Sequence, residues 1–449
     1  MANGRIWQYC SGDQIIPLGG GTAYFSTIGL LSATHYINSF YIAAGYDYPV
    51  RTWNGLSNTI GNGGGEDATT HPAHLFKYRA LYTEAWQNRL WIANTSESTD
   101  GGVTWTAYPN RIRFTSIGYP DEWDIEDNAA TDATYVDIYD KDGDEIVGLS
   151  SIGDDLLIFK RNSIHKLVYT GGEVFVEAVA IDAKSIGNAG FTVARTPQGI
   201  LFLNQEGLQI TDGNSVQQLE SSGKIDGILS ARRGSLNLKI SEIKNACAVS
   251  DETRQEYHII IPAIIGSAPN PMQYILTWNW EYDTWKIRDA GTIYPMSVIG
   301  LFSDSGEPAT STEGTKRLMI GRHNITLVQE SESWLIGSSD YQNCYHITPW
   351  LDFGTPGEYK EVIAVQPMWS GTIANTITLS YQTRDEWSNF SSWNDITSDA
   401  FVTNERINQP VIPVRAIGTK FRFRFNDTTS GNNWKVYSMK VFYNERSLR

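Results

Sequence analysis

The chain of 449 residues carries 35 Lys and Arg against 50 Asp and Glu, a formal net charge of −15 at pH 7 that argues against a protein built to coat DNA. Hydrophobic residues make up 41%, aromatics 12% and charged residues only 19%, which is enough material for a core and too little charge for disorder. No apolar run approaches the roughly 20 residues of a membrane helix, and the start, Met1-Ala-Asn-Gly-Arg-Ile-Trp7, has no apolar signal core, so a product made soluble in a cytoplasm, without a membrane anchor, is expected.

Forty Gly, 15 Trp and 23 Tyr favour an all-β protein, because glycine punctuates turns and aromatic rings pack on pleated surfaces. No long stretch shows helical periodicity with a cap; the nearest, Ser230 to Lys244, contains Gly234. Cys10, Cys247 and Cys344 are odd in number and far apart, which suits reduced buried thiols.

In chain order, Gly19-Gly-Gly21 and Gly63-Gly-Gly65 lack the Lys-Ser/Thr of a phosphate loop and read as loops. His71-Pro-Ala-His74, like Cys344-Tyr-His346 later, lacks the second pair of a closed zinc site. Ser98-Thr-Asp-Gly-Gly-Val-Thr-Trp105 matches the Asp-box pattern of sialidases and other propellers. It predicts a β-hairpin with Trp105 packed beneath it and says little about chemistry. The arginine cluster and the Tyr with an acidic partner that sialidase chemistry needs are not assignable.

Asn110-Arg-Ile-Arg-Phe-Thr115, Asp154-Asp-Leu-Leu-Ile-Phe159 and Gln198-Gly-Ile-Leu-Phe-Leu203 each read as a turn followed by a strand, and Ile112, Leu156 and Ile200 are 44 residues apart both times. That is the length of one propeller blade, so these three are expected at equivalent blade positions. Partner strands begin at Ile164 and Leu208, and weaker copies appear at Glu256–Ile261, Lys316–Ile320 and Asn324–Val328. Five or six four-stranded blades with inserted loops are expected over residues 1–345, N-terminal segment included.

Between these repeats, residues 121–145 hold eleven carboxylates against Lys141 alone. The segment reads as a solvated acidic loop or as a channel-lining or partner-docking patch that repels phosphates, with Trp123 anchoring its start. Within it, Asp140-Lys-Asp-Gly-Asp-Glu145 departs from a calcium loop, since Gly143 stands at the fourth position and no Glu at the twelfth.

From about Ile347 plainer strands follow, and a β-sandwich-like domain is expected over 346–449. In Lys420-Phe-Arg-Phe-Arg-Phe425 the period of two predicts a core-facing Phe row with cations on its back.

Three phrases together resemble the tail nozzle family of short-tailed phages, also called packaged-DNA stabilisation or tail tubular proteins. They are Trp86-Gln-Asn-Arg-Leu-Trp-Ile-Ala93, Pro109-Asn-Arg-Ile-Arg-Phe-Thr-Ser-Ile-Gly-Tyr-Pro-Asp-Glu-Trp123, where Thr115-Ser116 replace the usual neighbours, and Ile152-Gly-Asp-Asp-Leu-Leu-Ile-Phe-Lys-Arg-Asn-Ser-Ile-His-Lys166. Gly187-Asn-Ala-Gly190, Leu203-Asn-Gln-Glu-Gly207 and Thr348-Pro-Trp-Leu-Asp-Phe-Gly354 continue the likeness, whose main span is 86 to 219. It implies a virion β-propeller, assembled in the host cytoplasm as a homohexameric ring below the portal and its adaptor ring. Such a ring extends the DNA channel, closes it until ejection, and adjoins tail needle, fibre or tailspike proteins. Double-stranded DNA would pass without sequence-specific binding, with no catalytic site, metal or cofactor. Two other readings stand beside it: a carbohydrate-binding or sialidase-like propeller, and a receptor-binding tail protein using Trp387, Phe390 and Trp393 as a sugar platform.

Overall fold

The computed structural model describes residues 7–10, 14–17, 30–55, 61–62, 77–99, 103–120, 122–123, 133–138, 143–169, 176–182, 187, 189–220, 237–238, 240–261, 263–264, 274–289, 296–303, 316–322, 327–329, 344–348, 350–354, 357–372, 377–385, 391–396, 411–427 and 433–446. Among them the only helical pieces are the 3-10 turns Gly190–Thr192 and Ile240–Asn245, as the absence of helical periodicity implies. The chain divides into two units, Met1–Leu327 and Val328–Arg449.

The first unit is the expected propeller, with six described blades beside two two-stranded pairs, Trp7–Cys10 with Gln14–Pro17 and Asn237–Leu238 with Ala263–Ile264. Ser32–Tyr36, Ser39–Ala43, Arg51–Trp53 and Gly61–Asn62 make the first. The second runs Tyr78–Trp86, Arg89–Glu97, Thr106–Phe114 and Thr134–Asp137, with Gly45–Pro49 added beside Tyr78–Trp86. Ile146–Ile152, Asp155–Lys160, Ile164–Tyr169 and Val176–Asp182 form the third. The fourth is Ala194–Thr196, Gly199–Asn204, Gly207–Thr211 and Val216–Gln218. Cys247–Asp251, Glu256–Ile261, Tyr274–Asn279 and Thr284–Asp289 form the fifth, and Met296–Ser303, Lys316–Arg322 and Leu327–Gln329 the sixth.

The blades are meanders, and tight turns join several of their strands. Asn38, Gln87, Asn88 and Gly153 take the positive φ those turns demand. From the second blade to the sixth, the first strand of each touches the first strand of the next. Leu30, just ahead of the first blade, packs with Ile260 and Ile275 of the fifth and Leu318 of the sixth, which brings the two ends of the unit together. The second strands of the third and fourth blades are buried, Leu156 to Phe159 and Ile200 to Leu203 all being fully enclosed. A blade cannot cover both of its faces alone, so neighbouring blades must.

Leu156 and Ile200 are equivalent, each the second residue of a second strand, paired with Leu167 and Thr211 on the third. Ile112 is not. It lies on Thr106–Phe114, the third strand of its blade, paired with Ala93 and Val136. Leu90, after the Gln87-Asn88 turn, holds the position of Leu156, 66 residues earlier in the chain. The 44-residue spacing misassigned this blade because the stretch between its third strand and the next blade is lengthened by the acidic segment, and an equal interval from the wrong strand resulted.

The second unit is a two-sheet sandwich. One sheet orders Cys344–Ile347, Lys420–Asp427, Ile377–Arg384 and Asn394–Ile396, and the other Ile412–Gly418, Tyr359–Thr372 and Asn433–Arg446. Phe421, Phe423 and Phe425 meet Val362, Val365, Ile412 and Ala416 across the core. Cys344–Ile347 pairs with Lys420–Asp427, so the expected boundary at 345/346 falls inside a strand of this unit.

Candidate functional site

The residues of the nozzle-like phrases converge where the second and third blades meet. On the strand Thr106–Phe114, Ile112 and Phe114 face the core while Arg111 and Arg113 face the other way. Arg111 donates to both carboxylate oxygens of Asp137, at 2.8 and 2.9 Å, and to Glu97 Oε2 at 3.3 Å. Its guanidinium lies 3.8 Å from the ring centres of Tyr108 and of Tyr135. Burial alone would lower its pKa, but the Asp137 bond and the charges of Glu97 and Asp137 outweigh burial and hold it above the ordinary arginine value.

Arg113 shares Glu97, with Nη2 2.9 Å from Oε2, donates Nη1 to the Trp123 carbonyl at 3.1 Å, and lies over Tyr78. Trp123 is 2% exposed and packs on Tyr78, so it is anchored as expected. In the third phrase, Lys160 is fully buried and donates to the Ile138 carbonyl at 3.1 Å. The phrases therefore specify packing and buried charge pairing.

Four carboxylates of the acidic segment are described; Glu122 is exposed, and the other three have partners. Asp137 is on the outermost strand of its blade, paired with Arg111. Asp144 is 7% exposed and accepts from Asn162 N at 2.9 Å and Ser163 Oγ at 2.9 Å. Glu145 pairs with Arg161. These three carboxylates brace turns and strand edges. Asp121, Asp124, Glu126, Asp127, Asp132, Asp140 and Asp142 lie outside the described residues.

Two clusters were not legible in the sequence. On first strands, Glu84 accepts from Ser151 N at 3.2 Å and Ser151 Oγ at 2.9 Å, tying the second blade to the third. Burial pushes the Glu84 pKa up, against the Ser151 bonds and the charge of Arg195. Nearby, Tyr46 donates to Asn94, and burial, then the charge of Glu145, pushes its hydroxyl up to about 12.

The second cluster is Asp144, Ser163 and His165. These are the residue types of a nucleophile triad in the wrong order. Ser163 Oγ lies 2.9 Å from both Asp144 Oδ2 and His165 Nε2, so the carboxylate and the imidazole meet the same hydroxyl oxygen.

Cys247 is buried and its thiol is pushed up to about 12 by burial, which makes it unreactive. The Asp-box stretch joins the second and third strands of the second blade in the predicted hairpin. Trp105 stacks on Arg79 of the first strand, 3.5 Å from ring centre to guanidinium, where packing beneath the hairpin was expected. Asp100, Gly19 to Gly21, Gly63 to Gly65, His71, His74, Trp387 and Phe390 lie outside the described residues, as do the side chains of Cys10, Cys344 and His346. No group of three or more metal-ligating side chains occurs among the described residues.

On the sandwich, the predicted alternation holds, with Phe421, Phe423 and Phe425 inward and Arg422 and Arg424 on the back. Arg422 lies 4.7 Å from the Trp350 ring centre and 5.1 Å from that of Trp393, which also lies 4.5 Å from Arg424. Arg422 Nε donates to Gln382 Oε1 at 2.7 Å. Beside it, Ser380 Oγ donates to the exposed Asp395 at 2.6 Å.

No protein-family model matches the chain, and no curated protein matches it either. Among solved structures, it is similar to the extracellular domain of a hybrid two-component system from B. thetaiotaomicron, with 13% identity, a TM-score of 0.39 and 67% of this chain covered. The chain spans only 31% of that protein's length. A Synechocystis apocarotenoid oxygenase gives 10% identity and a TM-score of 0.35 over 68% of this chain and 69% of its own. An exo-β-1,3-galactanase from Phanerochaete chrysosporium gives 10% and 0.26 over 92% and 95%. Likeness at this level does not relate the chain to their activities.

Proposed function

We infer that the chain is a structural subunit of a tail nozzle of the short-tailed-phage type. In this reading, copies form a hexameric ring that continues the DNA channel below the adaptor and closes it until ejection. The single observation that carries the reading is the set of three phrases within 86–166, in which Arg113 anchors Trp123, while Arg111, Arg113 and Lys160 tie the phrases to Asp137, Glu97 and Ile138 between them. A formal charge of −15 suits a subunit past which DNA must slide, since each neutralised phosphate adds affinity and drag.

The role needs no turnover, and we assign none. The partners in this reading are the adaptor ring, needle, fibre or tailspike proteins, and passing double-stranded DNA, within a virion. Imaging of the purified chain tests it. Six-fold rings with an axial channel are the expected result, and a monomer at every concentration, or hydrolysis of a glycoside, would overturn it.

A further inference from the structure

Arg422 and Arg424 stand out because, among the described residues, neither guanidinium has a carboxylate partner. Arg422 uses only Nε, on Gln382, and Arg424 makes a single long bond of 3.4 Å from Nη2 to Ser380 Oγ. Arg424 Nε is buried without a hydrogen-bond partner. Burial lowers the Arg422 pKa, as expected of a cation desolvated without a counter-charge. Elsewhere in the chain, Arg111, Arg113, Arg161 and Arg446 each have a carboxylate. Both cations are half-buried on one sheet face, about 7 Å apart by strand geometry, with the Trp393 indole over both and Trp350 beside the first.

We propose that this outer sheet face, formed by Arg422, Arg424, Trp350, Trp393, Gln382 and Asp395, is a binding site for a carboxylate-bearing saccharide. A guanidinium with unspent Nη donors matches a carboxylate in fork geometry, and indole rings supply the flat apolar surface on which a pyranose stacks. The buried Gln382 amide, bonded to Arg422 and to the Ser391 carbonyl, fixes the first cation in place, and the exposed carboxylate of Asp395 adds an acceptor for sugar hydroxyls. Asp395 also discriminates between anions: it can accept from the hydroxyls of a saccharide, whereas a string of phosphates brings it only acceptor oxygens, so nucleic acid is disfavoured. The site is independent of the nozzle reading, because it rests on the second unit alone.

Titration calorimetry on the intact chain tests the site with three probes: a galacturonate trisaccharide, its neutral galactose counterpart, and a single-stranded oligonucleotide of equal charge. The galacturonate is expected to bind at least about tenfold more tightly than the neutral sugar, and Arg422→Gln and Arg424→Gln each to weaken it by about tenfold or more. Neither substitution should lower the melting temperature, since each removes a cation that has no counter-charge. A purely structural arginine and tryptophan ladder would instead melt earlier on losing either one. Asp395→Ala is on the exposed rim and leaves the core intact. It should weaken the saccharide, whereas a nucleic-acid site would be strengthened by it. Absence of galacturonate binding at millimolar concentration, tighter binding of the oligonucleotide, or unchanged binding by both arginine variants would each overturn the proposal.

Discussion

Glu97 is shared by two arginines, and all three side chains are close to nine-tenths buried. Replacing it by Gln strands the desolvated Arg113 cation and leaves Arg111 only Asp137, so Glu97→Gln should cost about 3 kcal/mol. Asp137→Asn leaves Arg111 the Glu97 contact and removes a carboxylate that is 31% exposed, so about 1 kcal/mol is expected. Guanidinium chloride midpoints measured side by side check the ranking, and equal midpoints would contradict it. Glu84 makes the opposite case. Its folded pKa lies above the ordinary value of 4.5, because burial disfavours the charge, so the fold prefers the protonated form. That preference is fully satisfied below pH 4.5 and is lost as pH rises through the folded value. Glu84→Gln keeps an acceptor for Ser151 and removes the titration, so it should melt higher than the parent near pH 8 and no higher near pH 4, as a pair of thermal scans would show. The pairing of Arg111 with Asp137 was not legible in the sequence, because the partners stand 26 positions apart and only a folded blade brings them together.

The joint between the third and fourth blades depends on one glycine. A Cβ on Gly190 would stand 1.4 Å from the Val147 carbonyl oxygen, so the 3-10 turn that opens the fourth blade could not lie against the third. Gly190→Ala should cost about 3 kcal/mol or more through forced backbone movement. Gly300→Ala, where a Cβ meets nothing within 4 Å, is the control and should be close to neutral. Soluble yield and melting temperature of the two variants measure the contrast. Most strands were legible from alternating apolar residues and turn signals, and the 44-residue interval correctly aligned Leu156 with Ile200. It failed at Ile112 because spacing reports separation along the chain, whereas rank within a blade is set by which hairpin turn begins the meander.

The chain's two units have separate cores, and the cluster around Phe421, Phe423 and Phe425 draws only on sandwich strands. Calorimetry of the intact chain is therefore expected to show two transitions. Phe423→Ala should remove about 4 kcal/mol from one of them and leave the other in place. A shift of both by similar amounts would show that the units unfold together.

Composition and pattern alone determined the all-β class, the blade-like repetition, the sandwich and the inward Phe row, since each follows from local periodicity that a strand must obey. The tertiary structure alone decided which charges are spent. Residues 121–145 read as one acidic block, yet Asp137, Asp144 and Glu145 are each taken up by a partner on another strand or turn. Arg422 and Arg424 read as ordinary surface cations, yet they stand half-buried without a carboxylate. The physical reason is range. Periodicity acts between residues two or four apart, while pairing and desolvation depend on neighbours that the chain acquires only on folding.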